Sequence, residues 1–188
     1  MAPHFDVNVI IVGQDTFTPA KVQQVNDAVG VMKVIFAALG PEVGTVRNFN
    51  IPSAAAGRLT VIRSHADAIA LANGWSVKND ALDLFVVRLI TGPTFVGLSP
   101  QPGDCRKNKT KAPALRAPVV TIQEEFTDQS GNTFAHEVGH FLGLPHCAVN
   151  PSLCAGAPSD FMDAVSASNT GVTAAQAALM KRHCLVRP

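Results

Sequence analysis

The chain has 188 residues, 15 Lys plus Arg against 14 Asp plus Glu, a formal charge of +1, and 47% apolar against 15% charged residues. That balance excludes a disordered or low-complexity chain and offers neither a basic stripe for nucleic acid nor a polybasic patch for a membrane surface. The length suits a single domain around one core, and the most apolar runs, 7–12 and 84–90, fall far short of the roughly 20 residues a spanning helix needs, with Arg88 interrupting the second.

Residues 1–6 lack the basic start and apolar run of a signal peptide, so no export signal is expected here. Residues 5–12 alternate and then run apolar up to Gly13, which predicts a buried strand. Thr18 and Pro19 supply an N-cap and a first-turn residue. Val22, Val25, Val29, Met32, Phe36 and Leu39 then recur at spacings of three and four, an amphipathic helix ending at Gly40 and Pro41. Short extended pieces are predicted over 45–51 and 59–63, and a helix capped by Ser64 through about Asn73, stopped by Gly74. The Leu, Phe, Val and Ile density of 81–91 predicts a central strand, and 95–98 and 118–122 two more. Between these, 99–116 carries Pro100, Pro102, Gly103 and the basic Arg106, Lys107, Lys109 and Lys111, the pattern of a solvated loop. A final helix is expected over about 173–183. Helices punctuating strands give an α/β or α+β fold around one mixed sheet.

The chemistry is concentrated in His136-Glu137-Val138-Gly139-His140-Phe141-Leu142-Gly143-Leu144-Pro145-His146. On a helix, residues four apart share a face, so His136 and His140 can direct imidazole nitrogens at one zinc ion. Glu137 adjoins them, placed to act as general base toward a metal-activated water and then as acid toward a departing amine. Gly143 lets the helix break, and the chain returns His146 as a third ligand. Three protein ligands leave one tetrahedral position open, the arrangement of a catalytic zinc site with one ion.

This stretch resembles the zinc-binding consensus of the metzincin clan of metallopeptidases at every defined position. The resemblance implies a mixed, twisted sheet with two helices in an upper lobe, about 1–143, with the zinc helix at the cleft floor. A small lower lobe, about 144–188, would carry a methionine turn and a final helix, the whole forming one catalytic domain over 1–188. In it, Met162 within Ser159-Asp160-Phe161-Met162-Asp163 is the turn methionine. Residues 94–100 resemble the antiparallel edge strand along which a peptide substrate pairs by its backbone. The wording of 137–144 is similar to pappalysin-like and matrixin-like members. Cys147 directly after His146 is similar to archaemetzincins, whose cysteines bind a second zinc, but the spacing to Cys154 departs from that family and Cys184 stands alone.

Four cysteines, Cys105, Cys147, Cys154 and Cys184, permit two disulfides in any of three connectivities. Disulfides are preferred to a second zinc and to four buried free thiols, with Cys147–Cys154 and Cys105–Cys184 one of the three connectivities, and with the low charge they tilt the expected compartment toward secreted or extracellular. The chain contains no tyrosine, so the tyrosine that some metzincins place after the methionine turn has no counterpart. His4, His65 and His183 are read as surface or capping residues. Glu124, Glu125 and Asp128 are read as a helix-start acidic cluster without calcium. The expected protein is a monomeric zinc endopeptidase acting on proteins or peptides, with no nucleic-acid or membrane partner. Residues 163–170, with small side chains, should wall an open pocket for a large apolar residue after the cut. The alternatives are a non-catalytic zinc-binding peptide-recognition module and, more remotely, a zinc hydrolase of small amides.

Overall fold

The computed structural model describes residues 2–91, 96–106, 114–122, 127–157, 159–164 and 169–188. The expectations for Thr94, Phe95, Lys107, Lys109, Lys111, Glu124, Glu125 and the 165–168 part of the pocket wall lie outside them. The chain runs β1 (His4–Val12), α1 (Pro19–Ala37), β2 (Glu42–Ile51), α2 (Ser53–Ala56), β3 (Val61–Ile62), α3 (His65–Trp75), β4 (Leu82–Val87), β5 (Leu89–Ile90), β6 (Gly97–Leu98), β7 (Val119–Thr121), α4 (Thr127–Phe141) and α5 (Ala174–Met180). The main sheet has the order β2-β1-β4-β7-β6, parallel except for β6, which pairs antiparallel with β7 at one edge. β3 and β5 form a separate parallel pair.

Parallel strands need both faces covered, and the alternation of β1 shows how that is met. Phe5, Val7, Val9 and Ile11 enter one core with Val25, Met32 and Phe36 of α1 and Phe134 and Val138 of α4. Ile10 and Val12 enter a second core with Ala68, Leu71 and Ala72 of α3. Asn8, fully buried, gives its amide hydrogens to Asp83 Oδ1 at 2.7 Å and Asn79 Oδ1 at 2.8 Å. Those bonds offset the cost of burying a polar side chain in the central strand. Thr18 caps α1 as expected, its Oγ1 accepting from the Lys21 amide at 3.2 Å. Edge-to-face contacts of Phe5 with Phe36 at 5.2 Å and of Phe36 with Phe161 at 5.9 Å carry packing from the sheet through α1 to the turn holding Met162.

The mixed α/β sheet expected from the sequence is present, with corrections to individual elements. The 81–91 run breaks at Arg88: β4 stays in the main sheet, while β5 joins β3. Residues 57–60 form a 3-10 turn rather than strand, leaving two extended residues in β3. β2 begins at Glu42, three residues before the expected start. α3 runs through Gly74 to Trp75, and α5 ends at Met180. Among the described residues no helix is long and apolar enough to cross a membrane.

Candidate metal centre

α4 presents Phe134, Ala135, Val138 and Phe141 to the core, joined by Leu142 just past its end, which fixes the rotation of the helix and leaves His136, Glu137 and His140 on its remaining face. The helix ends in a Schellman arrangement. Leu144 N–H bonds Gly139 O at 3.0 Å and Gly143 N–H bonds His140 O at 2.9 Å, with Gly143 at φ 104°, a conformation glycine adopts without strain. The chain then returns His146. His146 Nε2 lies 3.1 Å from His136 Nε2 and 3.0 Å from His140 Nε2.

The protons on these rings are fixed by their other nitrogens. His136 Nδ1 lies 2.7 Å from Phe161 O, and His140 Nδ1 lies 2.7 Å from Leu144 O. A carbonyl oxygen only accepts, so each Nδ1 carries the hydrogen and each Nε2 faces the cluster as a lone pair. Burial, with the neighbouring His136 and His146, pushes His140 down to about 4. Burial, followed by His146, likewise lowers His136 against the opposing Phe161 carbonyl. Neutral imidazoles converging on one point are what a metal ion requires of its ligands. Tetrahedral Zn–N bonds of about 2.0 to 2.1 Å imply nitrogen separations of about 3.3 Å, close to those found. The residues present fit a zinc ion, and His136, His140 and His146 could hold one.

Glu137 is 7% exposed, and burial pushes its carboxyl up to about 8. It lies against β6: a Cβ at Gly97 would fall 2.5 Å from Glu137 Cγ and 2.7 Å from Cδ. Met162, fully buried, packs on α4 at Gly139, the residue before His140, since a Cβ there would meet its Sδ at 2.7 Å. The turn holding Met162 closes through Asp163 N–H to Asp160 O at 3.1 Å and Met162 N–H to Asp160 Oδ1 at 2.8 Å. Cys147 N–H bonds Met162 O at 3.1 Å, tying that turn to the residue after His146.

The structure thus brings together all five residues singled out in the sequence, and adds Gln176, Asp160 and Gly97, which were not. Gln176 of α5 donates through Nε2 to Asp160 Oδ1 at 2.8 Å, and both residues are 1% exposed. Burial raises the Asp160 carboxyl, while Gln176 and the Met162 amide oppose the shift. Gly97 sits on Glu137, as above. His183 corrects the surface reading: it is half-buried, its Nε2 donates to Gly103 O at 3.2 Å, and its ring lies 5.2 Å from that of Phe141. Disulfides join Cys105 to Cys184 and Cys147 to Cys154, with Cα separations of 6.2 and 5.6 Å. Both groups in which these cysteines approach a third ligand type therefore contain sulfur already bonded to sulfur. Of the residues that hold Asp160, the Thr173-x-x-Gln176 capping box was readable in advance.

No protein-family profile matches the sequence, and no curated protein matches it. Similarity is found in three dimensions: the crystal structure of archaemetzincin from Methanopyrus kandleri superposes with a TM-score of 0.60 at 16% identity, over 96% of this chain and 95% of that one. The chain therefore has an archaemetzincin-like, mixed α/β fold.

Proposed function

We propose that the protein is a zinc-dependent endopeptidase of metzincin type, with His136, His140 and His146 as ligands, Glu137 as general base and then acid, and Met162 beneath the site. The observation that carries this reading is the convergence of three histidine Nε2 atoms, that of His146 lying 3.0 and 3.1 Å from the other two, beside a buried carboxyl on the helix of His136 and His140. The archaemetzincin-like fold supports it. Zinc at these nitrogens would supply Lewis acidity for polarising a water molecule and the scissile carbonyl.

The chain's own residues do the rest. Phe161 O and Leu144 O hold the Nδ1 protons, so two ligand nitrogens stay unprotonated and correctly aimed. Glu137, buried beside the ligand nitrogens, would as carboxylate take a proton from the attacking water and return it to the leaving amine, the adjacent dication favouring its ionised form. With no tyrosine in the chain, no phenol assists the developing oxyanion. An extended peptide or protein segment would lie along the outer side of β6, the sheet edge bordering Glu137.

The test is hydrolysis of denatured casein and a mixed peptide library by the purified chain, with and without a zinc chelator, alongside Glu137→Ala. The expected result is chelator-sensitive cleavage and one zinc per chain, with Glu137→Ala keeping the zinc and losing at least about 10²-fold in rate. A folded, zinc-loaded wild-type chain that cuts nothing in the library would overturn the peptidase reading in favour of a non-catalytic peptide-binding module.

A further inference from the structure

Gly97 occupies the first position of an edge strand whose partner is fixed. Gly97 pairs with Val120 and Leu98 with Val119, and Thr121 N–H bonds Val96 O at 3.0 Å. A strand glycine has no intrinsic advantage, and it weakens a strand unless something approaches too closely for a side chain. Here that something is Glu137, whose Cγ and Cδ would lie 2.5 and 2.7 Å from a Cβ at position 97, with Oε1 closer still. No real Cβ tolerates such separations, so one partner must move. The strand is held by β7, the helix backbone is held by the core, and the free torsions belong to the Glu137 side chain.

We infer that Gly97 is a positioning residue: the bare backbone of β6 is the wall against which the Glu137 side chain is set, and any side chain at position 97 displaces the carboxylate. The catalytic consequence rests on the peptidase reading above. If the same strand borders the substrate, base and peptide are registered to one backbone, so a displacement of Glu137 leaves peptide binding intact and spoils the proton transfer.

Two readouts test this, one of them independent of turnover. In kinetics, Gly97→Ala should lose about 10²-fold in kcat, the scale of a one-ångström misplacement, with KM within about twofold and zinc still bound one per chain. Glu137→Asp, shorter by one methylene, should relieve the clash, so adding Gly97→Ala to it should cost less than about fivefold. Losses that multiply independently, or that appear in KM alone, would overturn the inference. In thermal unfolding, Gly97→Ala should lower Tm in the wild-type background and not in Glu137→Ala, where the room has been made. Equal drops in both backgrounds would overturn it without reference to activity. If Gly97→Ala alone does not fold, recovery of folding by Glu137→Ala supports the contact, and failure of both places the conflict in the strand and refutes it. A wild-type chain without hydrolysis sinks the peptidase reading alone, and the Tm comparison still decides where Glu137 is set.

Discussion

His183 shows how much one side chain gains from its surroundings. Burial lowers its pKa from 6.5, and the Gly103 carbonyl, which accepts the Nε2 proton, only partly restores it. The folded form thus prefers the neutral ring, and the unfolded chain binds the extra proton first. The stability this provides is present above pH 6.5 and is lost as pH falls from there through the depressed folded value. Urea titrations at pH 7.5 and 5.5 should show a larger loss for the wild type than for His183→Gln, and equal losses would refute the assignment. Nothing in the sequence pointed to this role, because a lone histidine between Arg182 and Cys184 has no pattern. It is buried next to the Cys105–Cys184 disulfide and against Phe141, neither of which a local pattern announces. His136, Glu137, His140 and His146 were legible for the opposite reason: helix geometry and one glycine turn determine their mutual placement within a single short segment. Gly97 and Asp160 depend on partners distant in sequence, and no local spacing encodes those.

Among elements, α5 is short and depends on its cap. Thr173 Oγ1 accepts from Gln176 N–H at 3.1 Å while Gln176 Oε1 accepts from Thr173 N–H at 2.8 Å, a complete capping box. The same hydroxyl donates to Leu153 O at 2.5 Å. Thr173→Ala should therefore cost about 1 to 2 kcal/mol, read as a fall in the denaturant midpoint that Thr173→Ser largely restores. A Thr173→Ala protein as stable as wild type would show the cap to be idle. The α1 stripe was readable because Val22, Val25, Val29, Met32 and Phe36 repeat with the helical period, whereas Leu39, taken as its last position, lies beyond the helix end at Ala37 and is exposed. The 81–91 run was misread as one strand because a continuous apolar stretch carries no mark of where it leaves one sheet for another. Arg88, whose amide bonds Thr60 O at 3.2 Å, is that point.

Across the whole molecule, the two disulfides constrain the unfolded chain very differently. Cys105–Cys184 closes a separation of 79 residues and Cys147–Cys154 one of 7. Loop-closure entropy assigns about 4.5 kcal/mol to the first and about 2.4 kcal/mol to the second. Cys105→Ser/Cys184→Ser should accordingly lower the unfolding free energy more than Cys147→Ser/Cys154→Ser, and the reverse order would contradict this account. The strand order β2-β1-β4-β7-β6 joins segments from across the chain, which is why its existence, though not its order, could be anticipated from the run of strands and helices.

The two Nδ1 bonds have different origins, and this gives the site an internal hierarchy of fragility. His140 is oriented by Leu144, a residue of its own helix terminus, whereas His136 depends on Phe161, which belongs to a turn held from α5 through Gln176 and Asp160. A partial opening that lifts this turn and α5 away leaves the His140 bond to Leu144 intact, sets His136 free to rotate and breaks the Cys147–Met162 bond beside His146. Local opening at the carboxy-terminal end would therefore reach the histidine cluster without melting the sheet, through His136 first and through the segment after His146 second.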